Sequence, residues 1–316
     1  MAETRNDMQP MDSPIAGASP VMLGILGILM AALKLTWKNK KFMLSITVLV
    51  LPPFTLLSLG NKFLVFILMS DVASKEALLL FDGNDQSKTE HALAGIQKDF
   101  RILVGLELCF LIALWMVVLV AMMTTVYSSA MAYVGKDCTH KGMLSRIKMT
   151  LKRPAITWFY VSFFTAAYIV FIMVLIWLVL PEGGAFIALV ALMSFLALVV
   201  YLYLAAVWTL GLIIAIIEDD CYGLVALSKA GELIRGRKVQ GFVLMLFLTV
   251  IALALYVWTD YLTPVASSAF NLLAVIQFCL VKLFAFVVYT VFYYECKKTH
   301  GEKLEMHGTS PVGSNL

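Results

Sequence analysis

Residues 185–217 read AFIALVALMSFLALVVYLYLAAVWTLGLIIAII, an unbroken apolar run without a single Asp, Glu, Lys or Arg. A helix needs about 20 such residues to cross a hydrocarbon core of ~30 Å, and this run exceeds that length. Lipid offers no partner to backbone donors and acceptors, so the run predicts a closed helix, and the two-residue alternation of a membrane barrel is absent. Working outward, five further runs have the same character: Phe42–Leu59, Ile102–Tyr127, Ile156–Leu180, Gly241–Thr263 and Ala269–Tyr293. Over the 316 residues, 61% are hydrophobic and 14% charged, whereas a soluble domain carries about a quarter charged residues. The fold class read from this pattern is all-α, a polytopic membrane protein with six transmembrane helices.

The flanks complete the outline. Val21–Trp37 is apolar and then basic, with Lys34, Lys38, Lys40 and Lys41 at its end, and is too short to span. It predicts an N-terminal interfacial amphipathic helix. Residues 1–20 are polar, with Pro10, Pro14 and Pro20, and lack the basic opening of a secretory signal. The expected domains are therefore a disordered cytosolic tail over 1–20, a membrane domain over 21–294 and a second disordered cytosolic tail over 295–316. Pro52-Pro53 predicts a kink in the first span. Ser87-Lys-Thr-Glu90 has the form of a capping box that starts a helix leading into the second span.

Orientation follows from the basic residues. With six spans and a cytosolic N-terminus, eighteen of the 24 Lys and Arg fall on the cytosolic side, and the outer side holds five, all within 60–101. This is the positive-inside bias, and the opposite orientation would reverse it. Both termini are then cytosolic, while the choice between endomembrane and plasma membrane stays open. Of the five cysteines none lies in an outer loop, so no disulfide framework is implied.

Chemistry is sparse. His91, His140, His300 and His307 all lie in loops or tails, and no zinc-protease motif or intramembrane aspartate pair occurs. Arg146 and Arg153-Pro154 resemble the opening of a membrane lipid phosphatase motif, but the later elements of that motif are missing. Without a positioned base and nucleophile no catalytic residue is assigned, and no cofactor, metal or nucleic-acid site is expected. Two charges fall inside spans, Glu107 and Lys282, at depths about 12 Å apart at 1.5 Å per residue. They define a gate or coupled-ion site, a structural bridge between helices, or two separate snorkelling residues. The basic residues Arg146, Lys148, Lys152, Arg153, Arg235, Arg237 and Lys238 are expected to face anionic headgroups of the cytosolic leaflet. Asp219 or Asp220 is expected to cap the following helix. Cys296, beside Lys297-Lys298, is a candidate for lipidation, and Val291, Tyr294 and Lys297 match a cholesterol-contact pattern.

Several stretches carry a resemblance: Leu23-Gly-Ile-Leu-Gly-Ile-Leu29, Leu51-Pro-Pro53, Val207-Trp-Thr-Leu210, and Ile216-Ile-Glu218 followed by Tyr222-Gly223, Ala226-Leu-Ser-Lys229 and Glu232-Leu-Ile-Arg-Gly236. The last is Tyr293-Tyr-Glu-Cys-Lys-Lys-Thr-His300. Together they resemble a plant family of six-span membrane proteins of uncharacterised function, some of whose members are labelled as binding a polyadenylate-binding protein. More remotely, the Glu218–Gly236 stretch is similar to the membrane domain that accompanies bacterial glycerophosphodiester phosphodiesterases. The resemblance implies six spans with both ends cytosolic and supplies no active residues. The expected function is a non-enzymatic membrane-organising or adaptor component whose partners are the bilayer, anionic headgroups and a cytosolic protein reached through the tails. The rival is a small transporter or channel using Glu107 and Lys282.

Overall fold

Lipid demands helix, and helix is what forms. The structure, a computed structural model, describes residues 24–81, 86–135, 147, 150–179, 185–261 and 268–301, and there is no strand among them. In chain order the elements are α1 (Ile25–Lys38), α2 (Lys40–Phe81), α3 (Gln86–Val134), α4 (Lys152–Val179), α5 (Ala185–Ile217), α6 (Leu224–Leu233), a 3₁₀ turn (Ile234–Arg237), α7 (Lys238–Tyr261) and α8 (Ser268–Thr299).

Six stretches are long and apolar enough to cross a membrane: Met43–Ser74, Gln97–Val134, Lys152–Trp177, Ala188–Ile217, Leu224–Thr259 and Leu272–Thr299. Between 6% and 28% of each apolar window is buried inside the protein. Trp177 is 76% exposed, Leu56 75% and Phe66 71%. In water such a surface would be an aggregation patch far larger than a monomer tolerates. Its solvent is lipid, and the chain is an integral membrane protein.

The helices overrun the apolar runs because polar residues with good helix propensity extend them. α3 begins at Gln86, so Ser87 lies inside the helix and is not its N-cap, contrary to the capping-box expectation. α8 continues to Thr299, so Glu295–Thr299 are helical and not part of a disordered tail. The tail residues 1–20 and 302–316 lie outside the described residues, as do Arg146 and Lys148. α2 passes through Pro52 and Pro53 without interruption. Each proline removes a helical N–H donor, and the Thr55 hydroxyl donates to the Pro52 carbonyl at 3.0 Å.

The chain divides into two compact units. The first comprises Met1–Met43, Thr124–Phe247 and Ala285–Leu316. Its core is built from the end of α3, where Thr124, Thr125, Ser128, Ser129 and Ala130 are buried, and from the second half of α5 and the end of α8. Small side chains allow the close approach that helix packing in lipid relies on. α5 packs against α4 and α6, and the Tyr168 hydroxyl on α4 donates to the Ala197 carbonyl on α5 at 2.6 Å. Gly241 opens a tight crossing between α7 and α8. A β-carbon there would lie 2.6 Å from Ile234 Cδ1 and 3.2 Å from Phe292 Cζ. The Tyr289 hydroxyl donates to the Gly241 carbonyl at 3.0 Å across the same crossing.

α1 has two different apolar faces. Ile28, Ala32 and Leu35 are buried, while Leu26 (79% exposed), Met30, Leu33 and Trp37 (73%) form the opposite stripe. Lys34 and Lys38 flank that stripe and are exposed. The second unit comprises Leu44–Met123 and Leu248–Phe284. Within it, Phe54 of α2 stacks on Phe278 of α8 with centroids 6.4 Å apart, and Asn61 of α2 reaches Glu107 of α3.

Candidate functional site

The densest polar chemistry among the described residues lies in the first unit and is organised by two carboxylates. α5 ends at Ile217, and Glu218 continues its hydrogen bonding for one residue, its N–H donating to the Ile214 carbonyl at 2.8 Å. Gly223 then starts α6 with φ +64° and ψ −134°, a conformation that residues with a β-carbon avoid. Its N–H donates to Thr157 Oγ1 on α4 at 2.8 Å. Gly223→Ala is therefore expected to lower stability by about 1–3 kcal/mol, read as a loss of melting temperature in detergent.

Once α6 is started this way, Lys229 on its first turns reaches back to Glu218 at 2.7 Å. From α8, the Tyr293 hydroxyl donates to Glu218 at 2.8 Å, and Lys297 lies one turn on at 3.3 Å. Burial pushes the Glu218 carboxyl up, but hydrogen bonds from Lys229 and Tyr293 and the charges of Lys229 and Lys297 outweigh it, leaving the carboxyl below its ordinary range.

The second carboxylate is Glu295 on α8. It receives a hydrogen bond from the Tyr133 hydroxyl of α3 at 3.1 Å, and Lys298 at 3.0 Å. Arg237 Nη1 lies 3.8 Å from Glu295 Oε2, with both side chains 4% exposed. That separation is too long for a direct hydrogen bond, and Arg237 Nε and Nη1 have no hydrogen-bond partner. Tyr133 stacks on Tyr294 at 4.6 Å and 3°, and Lys298 Nζ sits 5.4 Å from the Tyr133 ring centroid. On α8, Tyr293 and Lys297 one turn on both bond Glu218, while Lys298 bonds Glu295 and Tyr294 brings its ring against Tyr133.

Several sequence expectations change here. Arg237 does not face headgroups. It is 6% exposed, because the 3₁₀ turn puts it on the same side as the fully buried Ile234, three residues earlier. Arg153 is part-exposed and bonded to Asp219 at 2.9 Å. The α6 N-cap is Gly223 with no side-chain cap hydrogen bond, so neither Asp219 nor Asp220 caps that helix. Cys296 is 0% exposed and Tyr294 3%, so the thiol has no access to an acylating enzyme and the cholesterol pattern does not face lipid. Lys152, Arg235 and Lys238 are exposed. Among the described residues no group of three His, Cys, Asp or Glu side chains could hold a metal ion.

Glu107 and Lys282 are not brought together. The Glu107 carboxylate accepts from Asn61 Nδ2 at 3.2 and 3.4 Å. Lys282 is exposed, with its Nζ 5.3 Å from the Phe278 ring centroid. α2 serves as a ruler: Asn61 is level with Glu107, and Phe54 with Phe278. Seven residues of α2 and a further four of α8 place Glu107 and Lys282 about 16 Å apart along the helices. No ion pair joins them.

The sequence does not single out the two carboxylates that serve as knots, although Glu218, first of the three acids that close an apolar run, and the Tyr-Tyr-Glu-Cys-Lys-Lys order carry the signal. A family model described as a domain of unknown function (DUF8558) matches residues 20–310. No curated protein and no solved structure matches the chain.

Proposed function

The chain belongs to the DUF8558 family, a domain of unknown function, and from the geometry above we propose that it is a non-enzymatic membrane-organising adaptor whose basic rim holds anionic lipid. In this reading both termini are cytosolic and α1 lies in the inner interface, its Leu26–Trp37 stripe in lipid. One observation carries the reading, a division of labour among the cations of the first unit. Arg237, Lys297, Lys298 and Lys229 are consumed by Glu218 and Glu295. Lys34, Lys38, Lys40, Lys41, Lys152, Arg235 and Lys238 stay exposed. Basic residues beside an anionic leaflet gain about 1 kcal/mol each. A transporter coupling Glu107 to Lys282 would need them in one site, and they are about 16 Å apart.

The test is native mass spectrometry and melting in nanodiscs with and without phosphatidylserine. Anionic lipid is expected to be retained and to raise the melting temperature. The triple variant Lys152→Gln, Arg235→Gln, Lys238→Gln is expected to lose up to about 3 kcal/mol of that lipid-linked stabilisation. Equal melting with and without anionic lipid would refute the rim, and solute flux into proteoliposomes would refute the adaptor.

A further inference from the structure

Lys282 is a charge inside a span of the second unit that has no counter-charge among the described residues, its Nζ resting over a phenylalanine ring. It sits on α8 about 15 Å from Leu272 and about 25 Å from Thr299, both ends of the same candidate span. Centred in a ~30 Å core, that position is about 10 Å from the nearer headgroups, beyond the reach of a lysine stem. A lipid phosphate therefore does not satisfy it. Lys282 is an exposed residue whose Nζ lies 5.3 Å from the Phe278 ring centroid, and Phe278 is itself 48% exposed and stacks on Phe54. A cation over an aromatic ring gains ~1 kcal/mol or somewhat more, less than the ~3 kcal/mol or more that an unpaired charge costs at this depth.

The missing partner is a carboxylate, and none of the described residues of this chain supplies it. Glu107 is about 16 Å away along the helices and is bonded to Asn61. Glu295 is buried among its own cations. A second copy inserted in the same orientation offers its Glu107 at the same depth as the first, so symmetric association leaves the mismatch of about 16 Å. We infer that the Lys282–Phe278 face of α8 docks a transmembrane helix of a different protein, one that carries an aspartate or glutamate at mid-membrane depth. The inference rests on the adaptor reading and names the chemistry of the partner.

The test uses the full-length protein in its native membranes, with the photocrosslinker benzoylphenylalanine in place of Phe278, a change that keeps the ring. The expected product is a crosslinked peptide from another protein, with Asp or Glu inside an apolar span. Its yield should fall about tenfold in Lys282→Leu, as expected for loss of one polar contact between helices in lipid. The yield should persist in Lys282→Arg. Lys282→Asp should recover it when the partner's acid is changed to lysine. Crosslinks only to lipid, crosslinks only to a second copy, or a yield that Lys282→Leu leaves unchanged would each overturn the inference. Lys282→Arg, which keeps the charge, separates a lost contact from a lost fold. The lipid measurement in nanodiscs does not involve Lys282, so the rim can stand if this docking face fails.

Discussion

Replacing Glu295 by leucine is expected to destabilise the detergent-solubilised protein by about 3–5 kcal/mol, the scale on which breaking one side of a buried ion pair acts. The substitution leaves Arg237 with its guanidinium 4% exposed and with Nε and Nη1 already lacking hydrogen-bond partners. It also removes the acceptor of the Tyr133 hydroxyl and the counter-charge of Lys298. The cost is therefore a stranded charge more than a lost attraction. The double variant Glu295→Leu, Arg237→Leu removes both charges and is expected to recover a large part of the loss. Chemical denaturation followed by circular dichroism measures both. A single-variant loss below about 1 kcal/mol, or a double variant no better than the single, would show that the pair does not hold α8 to the 3₁₀ turn.

Arg237 also shows where sequence reading stops. Arg235-Gly-Arg-Lys238 is a basic run, and basic runs beside spans are ordinarily headgroup contacts. Two of its three cations are indeed exposed. Which one turns inward depends on the local helix period. With three residues per turn Ile234 and Arg237 share a side, and Ile234 is fully buried. Nothing in composition foretells that the chain switches from α to 3₁₀ at Ile234. The spans, by contrast, were legible from Ala185–Ile217 outward, because lipid imposes length and apolarity on each segment separately. The Glu107–Asn61 contact was not legible, since it depends on the register of α2 against α3. Gly223 stood in plain view as part of Tyr222-Gly223, but the acids before it looked like better caps. Arg153 claims Asp219 instead, and that contact joins residues far apart in sequence. Each span was foreseeable on its own, whereas the helix caps and the contacts between helices were not.

The second large effect is expected at Glu218, where leucine should cost about 1.5–3 kcal/mol, the range for losing hydrogen bonds to a charged group. Lys297, 13% exposed, loses its counter-charge, while Lys229, 33% exposed, turns to solvent at little cost. The effect is therefore smaller than at Glu295. Glu218 adds a dependence on pH with a definite sign. Its carboxyl lies below the ordinary value of 4.5 in the folded protein because the bonds and charges of Lys229, Tyr293 and Lys297 outweigh its burial. A group depressed on folding stabilises fully above its unfolded value, and that stabilisation disappears as pH falls through the folded one. The wild-type melting temperature should hold from about pH 7 down to the ordinary carboxyl range and then drop as acidification continues below it. Glu218→Gln should begin lower and fall less steeply over that window, because the neutral amide no longer loses a charge on acidification. Lys229→Met should weaken the same acid limb by removing the leading contact that depresses the carboxyl, whereas Lys238→Met, on an exposed side chain with no role at Glu218, should leave its shape unchanged. Parallel acid limbs in wild type and Glu218→Gln would place the titrating group elsewhere and remove Glu218 as the knot that ties α5, α6 and α8.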